Sequence, residues 1–256
     1  MKIKIAKPVI FLFTVMTLTS LACSVDLYGT PTPAPPAVEA SSQPEQVEIS
    51  ATMPPTIITA PQFYTEEFKA QNENWEYLIA NSAGKQTVSG NDVSTAMRAA
   101  GGLLVFDLKN KGILAYATYQ PFTYKDVRLD VKAGNRGTNN NKVGLICRKS
   151  DAGWYEFDIA SNGLYEIFFA KDAGSTVEYT RITDGGSNNI KTGLAENEYG
   201  IVCQGNTLVL IVNGAEVSRL NENKHLLPEG KVSVTVSSER SSQVIVDLYS
   251  VSISQP

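Results

Sequence analysis

One histidine and three cysteines are all that the 256 residues contain of the usual metal-binding and nucleophile-activating side chains. His225, Cys23, Cys147 and Cys203 stand far apart in the chain, so no zinc-type ligand cluster is present. A Ser-His-Asp triad needs a positioned nucleophile, and no Gly-x-Ser-x-Gly elbow occurs. His225 follows the polar run Asn221-Glu222-Asn223-Lys224 and reads as a loop residue. No arginine cluster or basic stripe exists, which excludes nucleic acid as a partner. Long apolar runs are missing too. The longest, Val9–Ala22, is uncharged but falls short of the roughly 18 residues of a membrane span.

That short run has a setting of its own. Lys2, Lys4 and Lys7 precede it, and Ser20-Leu21-Ala22-Cys23 closes it, giving a charged n-region, an h-region and a small-residue cleavage site. The segment resembles a bacterial lipoprotein signal. The resemblance implies removal of residues 1–22, acylation of Cys23 by chains such as palmitate, and an extracytoplasmic protein anchored to a bacterial bilayer. One departure is that Ser20 stands where such signals usually carry Leu, and Ser20-x-Ala22 also fits ordinary signal-peptidase cleavage. Export follows from either reading. Residues 23–61 then hold most of the prolines, eight of twelve, in runs such as Pro31-Thr32-Pro33-Ala34-Pro35-Pro36. Such a composition buries too little surface to offset chain entropy, so an extended stalk is expected.

Residues 62–256 are long enough for one domain with a sizeable core. Without residues 1–22 the chain has 19 Lys+Arg against 26 Asp+Glu, a formal charge of −7, which gives no attraction to anionic lipid. Eleven segments read as strands: Leu103–Leu108, Ile113–Tyr119, Val127–Val131, Val143–Arg148, Tyr155–Ile159, Tyr165–Phe169, Val177–Ile182, Tyr199–Cys203, Leu208–Val212, Val232–Val236 and Val244–Ile253. Asn162-Gly163 and Asn213-Gly214 are the strongest hairpin signals, because a type I′ turn needs two residues that tolerate positive φ. Only Ser94–Ala100 and Asn221–Leu227 invite a helical or irregular alternative. Short antiparallel strands without crossover helices define an all-β class, a β-sandwich or jelly roll.

Three stretches carry a resemblance. They are Gly144-Leu145-Ile146-Cys147-Arg148 with Trp154–Ile159 and Asn162–Ile167; Val202–Leu208 running into Val212-Asn213-Gly214; and Tyr64–Phe68 followed by Trp75. Together they resemble the concanavalin A-like lectin/glucanase superfamily, in particular its laminin-G-like modules on bacterial surface proteins. In the opening stretch Glu67-Phe68 replaces the usual Asp-Phe. The superfamily includes lectins, glycoside hydrolases and adhesive domains, so it implies a fold and leaves the activity open. Glu156-x-Asp158 is similar to the Glu-x-Asp core of laminarinase-type hydrolases. Their second glutamate, four or five residues on, is replaced here by Ala160 and Ser161. The branch that acts on 3-keto-disaccharides resembles this chain at fold level alone.

A two-residue loop at Asn162-Gly163 sets Ser161 opposite Leu164 and Ile159 opposite Glu166. One face then carries Tyr155, Phe157, Ile159, Leu164, Phe168 and Ala170, with Glu166 as its single charge, and forms the core side. The other carries Trp154, Glu156, Asp158, Tyr165, Ile167, Phe169 and Lys171. Aromatic rings among carboxylates and an amine suit a sugar, whose C–H face stacks on rings while its hydroxyls take hydrogen bonds. A solvated outer face of ordinary cross-strand aromatic pairs, or a partly covered second layer, is the other reading of the same residues and the favoured one. The candidate ligand residues are therefore Trp154, Glu156, Asp158, Tyr165, Phe169 and Lys171. The expected function is non-catalytic recognition of a glycan or cell-wall polysaccharide, with a protein-binding adhesion module and a glycoside-acting enzyme as alternatives. No cofactor is indicated. Asn135–Asn141 and Asp184–Asn189 offer oxygens for calcium without the alternating carboxylates of a calcium loop. Cys147 and Cys203 pair as an exported disulfide or stay as two buried thiols.

Overall fold

The computed structural model describes residues 59–81, 86–89, 96–174, 176–238 and 241–256, within one compact unit spanning Thr56–Pro256. The expected signal peptide, the expected acylation position Cys23 and all but the last residues of the expected stalk lie outside them. Sixteen strands follow one another: β1 (Tyr64–Glu66), β2 (Trp75–Asn81), β3 (Gln86–Ser89), β4 (Met97–Ala100), β5 (Leu103–Leu108) and β6 (Ile113–Tyr119). Next come β7 (Val127–Asn135), β8 (Lys142–Ser150), β9 (Gly153–Ala160), β10 (Leu164–Asp172) and β11 (Val177–Gly186). The chain ends with β12 (Glu196–Gln204), β13 (Thr207–Val212), β14 (Ala215–Asn221), β15 (Lys231–Ser237) and β16 (Val244–Ser254). All eleven expected segments are strands. Met97–Ala100 is β4, and the stretch after Asn221 is an irregular loop.

Two antiparallel eight-stranded sheets result. The first runs β14-β13-β12-β7-β16-β5-β4, with β1 also paired to β16, and the second runs β11-β10-β9-β8-β15-β6-β2-β3. Their facing surfaces alternate with period two. Val127, Leu129, Val131 and Ala133 of β7 meet Tyr155, Phe157 and Ile159 of β9 and Val232, Val234 and Val236 of β15 in one continuous core. In β16 a register shift between Leu248 and Ser250 restores the inward parity of Val251 and Ile253.

A Cys147–Cys203 disulfide crosses this core from β8 to β12, closing a separation of 56 residues. It settles the open choice in favour of the bridge. A loop of that length corresponds to about 4 kcal/mol of stabilisation in the chain-entropy account. The chain enters the sandwich under an aromatic clamp. Tyr119 and Tyr124 hydroxyls donate to the Pro61 and Gln62 carbonyls at 2.5 and 2.6 Å, and Trp75 Nε1 donates to the Tyr64 hydroxyl at 2.7 Å.

Candidate functional site

The β9–β10 hairpin decides which side chains leave the core, and it differs from the expected one. Tyr165 pairs with Ile159, Glu166 with Asp158 and Phe168 with Glu156, one step away from the two-residue-loop register. Gly163 alone has positive φ (94°) in this loop and its N–H donates to the Ala160 carbonyl at 3.1 Å, so the connection spans three residues, Ser161 to Gly163. β9 keeps its expected faces. Along β10 every face exchanges: Tyr165, Ile167 and Phe169 pack on the main core, and Glu166, Phe168 and Ala170 join Trp154, Glu156 and Asp158 outside. The physical reason is burial. The two-residue register would place Glu166 in the core and Ile167 in water, a far larger cost than the preference between two turn types.

Tyr165 and Phe169 are therefore core-side residues. Phe169 stacks on His225 at 3.8 Å and 7° between planes, which explains His225 as a packing residue of its loop. Lys171 is exposed near the end of β10. Trp154 stays on the outer face but is only 6% exposed, with its Nε1 donating to Glu156 Oε2 at 2.8 Å. The Lys149 amine stands 6.0 Å from its ring centroid and 4.9 Å from that of Tyr116. Its indole thus supports Glu156 and presents no free face for stacking.

Around the hairpin the outer face of the second sheet gathers charges from four strands. Lys142 of β8 donates to Glu166 Oε2 at 2.7 Å and to Asp158 Oδ2 at 3.4 Å. From β11, Arg181 donates to Glu166 Oε1 at 2.7 Å, and its guanidinium lies 3.8 Å from Asp184. Glu166 is thereby gripped by two cations. Glu156 and Asp158 differ from it. Both reach over Gly144, where a Cβ would lie 2.8 Å from Asp158 Oδ1 and 3.6 Å from Glu156 Oε1.

Burial, and next the charge of Asp158, push Glu156 up to about 8, while the Trp154 indole and Lys149 pull the other way. Asp158 is pushed up to about 6 by burial, with Lys142 drawing it down. The two titrate as a unit, so near neutrality the pair holds a proton. Lys149 is lowered by its own burial, which Glu156 and Glu76 counter.

Two clefts open on this face. The first, about 200 Å³, is bordered by Lys142, Asp158, Glu166, Asp184, Asn140 and Asn162, with the 55%-exposed Leu164 at its edge. The second, about 330 Å³, lies toward the opposite strand ends among Glu76, Tyr116, Lys149, Trp154, Asp172 and Lys231. Of the six sequence candidates, Asp158 and the half-buried Tyr165 line the first cleft, Trp154 the second, and Glu156 is buried between them; Phe169 and Lys171 line neither. Lys142, Glu166, Arg181 and Asp184 were missed. A signal for Glu166 existed: it was the single charge on an otherwise apolar face. Among the described residues no group of three or more His, Cys, Asp or Glu side chains is arranged to hold a metal ion.

The sandwich is of the concanavalin A-like jelly-roll class. Solved structures with that fold match three quarters of the chain. A glycoside hydrolase family 16 endo-glucanase from Bacteroides ovatus aligns with a TM-score of 0.56 at 10% identity, covering 75% of this chain and 99% of that one. A LamA variant from Zobellia galactanivorans, in complex with laminaritriose and laminaritetraose, aligns with a TM-score of 0.53 at 11% identity, covering 75% and 98%. The carbohydrate-binding module CBM66 from Bacillus subtilis covers 59% of this chain and 86% of its own, with a TM-score of 0.46 at 10% identity. At such identities the likeness to the two glucan-related enzymes, at TM-scores of 0.56 and 0.53, establishes the fold alone. No family model and no curated protein matches the chain.

Proposed function

We propose that this protein is a surface lipoprotein whose β-sandwich binds a glycan without cleaving it, at the first cleft. One observation carries the reading: Asp158, Glu166, Lys142 and two asparagine amides converge on a small open cleft with an exposed leucine at its edge. Carboxylates accept from sugar hydroxyls, amine and amides donate to their oxygens, and Leu164 offers an apolar patch for a C–H face. The signal ending at Cys23 supports export and an acyl anchor, and the proline-rich composition of residues 23–61 supports a stalk that gives the domain reach.

Hydrolysis is the second reading, favoured by three carboxylates on adjacent strands. A retaining mechanism needs a nucleophile and an acid that both touch the scissile bond. Glu156 is 2% exposed beneath Trp154, and Glu166 is neutralised by Lys142 and Arg181, which weighs against both roles.

A glycan array with the soluble chain lacking residues 1–23 tests the binding reading. The expected result is a saturable signal reduced at least about tenfold in Asp158→Asn/Glu166→Gln, the loss of two charged hydrogen-bonding groups. Silence across glycans from a folded protein contradicts it, and reducing sugar released from a bound glycan would move the case to hydrolysis. For the anchor, palmitate incorporation should disappear in Cys23→Ser; incorporation that persists refutes it.

A further inference from the structure

Tyr116 of β6 and Tyr179 of β11 meet where flat geometry would forbid it. The order β11-β10-β9-β8-β15-β6 puts five inter-strand steps between them. At about 4.8 Å a step, that is about 24 Å across a flat sheet. Their hydroxyls nevertheless lie 3.3 Å apart. Two tyrosine side chains cannot span such a gap, so the second sheet curls toward its outer face, and the pair bars the resulting trough from wall to wall.

Tyr116 borders the second cleft, and Tyr179 packs on Phe168, which pairs with Glu156. Along β9, Trp154 belongs to one cleft, Asp158 to the other, and Glu156 lies between, about 13 Å of strand in all. What lies under the bar is polar and closed off. Glu156 is 2% exposed, and Thr235 of β15 is 1% exposed with no partner for its hydroxyl among the described residues. The backbone of Gly144 is where these side chains close in: a Cβ there would lie 2.4 Å from Thr235 Cγ2 and 2.8 Å from Asp158 Oδ1. A buried hydroxyl without a partner is costly, and a ligand oxygen would satisfy it.

The bar is also fixed asymmetrically. Tyr116 is 4% exposed on a central strand, whereas Tyr179 is 37% exposed on β11, which ends the strand order of the sheet. Tyr179 is held by an edge contact to Phe168 (5.6 Å, 78°) and by the single hydroxyl pair.

We propose that Tyr179 is a removable bar across one continuous groove, and that the ligand is a linear oligosaccharide lying along the strands in both clefts at once. This rests on the glycan reading above and adds the shape of the ligand and a third, hidden subsite over Glu156 and Thr235. A mono- or disaccharide fills one cleft and leaves the bar in place. A longer chain displaces Tyr179 and draws on the binding energy of both clefts to do so.

The test uses the full chain in detergent, as wild type, Tyr179→Phe, Tyr179→Ala and Tyr116→Phe, each shown by melting to be folded. Carbodiimide coupling of a small amine to Glu156, read by peptide mass spectrometry with exposed Asp151 as internal reference, reports the bar without any ligand. Coupling should rise several-fold in both Phe variants and further in Tyr179→Ala; coupling equal to wild type overturns the proposal.

Laminaribiose and laminarihexaose serve as ligand probes. Tyr179→Phe should bind the hexaose about fivefold more tightly, the equivalent of one net hydrogen bond no longer broken, with the biose unchanged. A variant that improves both equally, or neither while both still bind, overturns the continuous groove. Raised coupling with no binding of either sugar by any form overturns the glycan reading and leaves the bar standing.

Discussion

Two hairpins of this molecule carry the same dipeptide at their turn and use it differently. At Asn213-Gly214 both residues have positive φ, 50° and 80°, and Val212 pairs directly with Ala215. That is the two-residue type I′ turn the dipeptide favours. At Asn162-Gly163 only the glycine is left-handed, the loop takes a third residue, and β10 moves one step along β9. The difference lies in the strands. After Gly214 comes an edge strand of half-buried and exposed residues, which tolerates the turn's own register. After Gly163 come Tyr165, Ile167 and Phe169 alternating with Glu166, and only one register puts the apolar set inward. Turn chemistry is worth about a kilocalorie, whereas a carboxylate in an apolar core costs several.

The sharpest way to break the comparison is to exchange the parity of β10. Ile167 is fully buried, so Ile167→Glu should cost more than about 4 kcal/mol in urea unfolding. Glu166→Ile should cost only about 1 kcal/mol, since it removes partly exposed ion pairs with Lys142 and Arg181. If Glu166→Ile instead stabilised the domain strongly, Glu166 would be a core residue and the two-residue register would be right. Next in size are the turns. Gly163→Ala and Gly214→Ala, at φ 94° and 80°, should each cost about 1–2 kcal/mol by the same measurement. A neutral result at either position would mean that its loop is not left-handed there.

A pH dependence follows as well, present only in the arm whose register buries carboxyls. Glu156 and Asp158 bind protons more tightly folded than unfolded, at about 8 and about 6 against ordinary values near 4. Stability from this pair is therefore full below about pH 4 and declines as pH rises toward 8. Melting temperature should fall over that range, and Glu156→Gln should flatten the slope. An unchanged slope in that variant would mean that the pair is ionised in the fold.

Most of the architecture was legible, because strands buried on one face write their period into the sequence. Eleven of the sixteen strands stood out as Val-, Ile-, Tyr- and Phe-rich segments. Those not recognised include the short β1, β3 and β4 and the polar edge strand β14. β2 was missed despite its alternation of Trp75, Tyr77 and Ile79 inward. The site was legible along β9, where parity alone put Glu156 and Asp158 outside, and in Tyr165 of β10, which lines the first cleft from the face opposite to the expected one. Its other members come from β6, β8, β10 and β11, and nothing local in Tyr116 or Tyr179 announces a contact across five inter-strand steps. Register and sheet curvature, which bring them together, are properties of the whole sandwich.

The most direct test of the account is to map the bound ligand. Amide chemical shifts of the soluble domain, recorded while titrating the strongest glycan from the array, should move along β8 to β11 around Lys142, Asp158, Glu166 and Asp184. Shifts confined to the first sheet or to the far loops, with these residues unmoved, would contradict the placement of the site on the outer face of the second sheet.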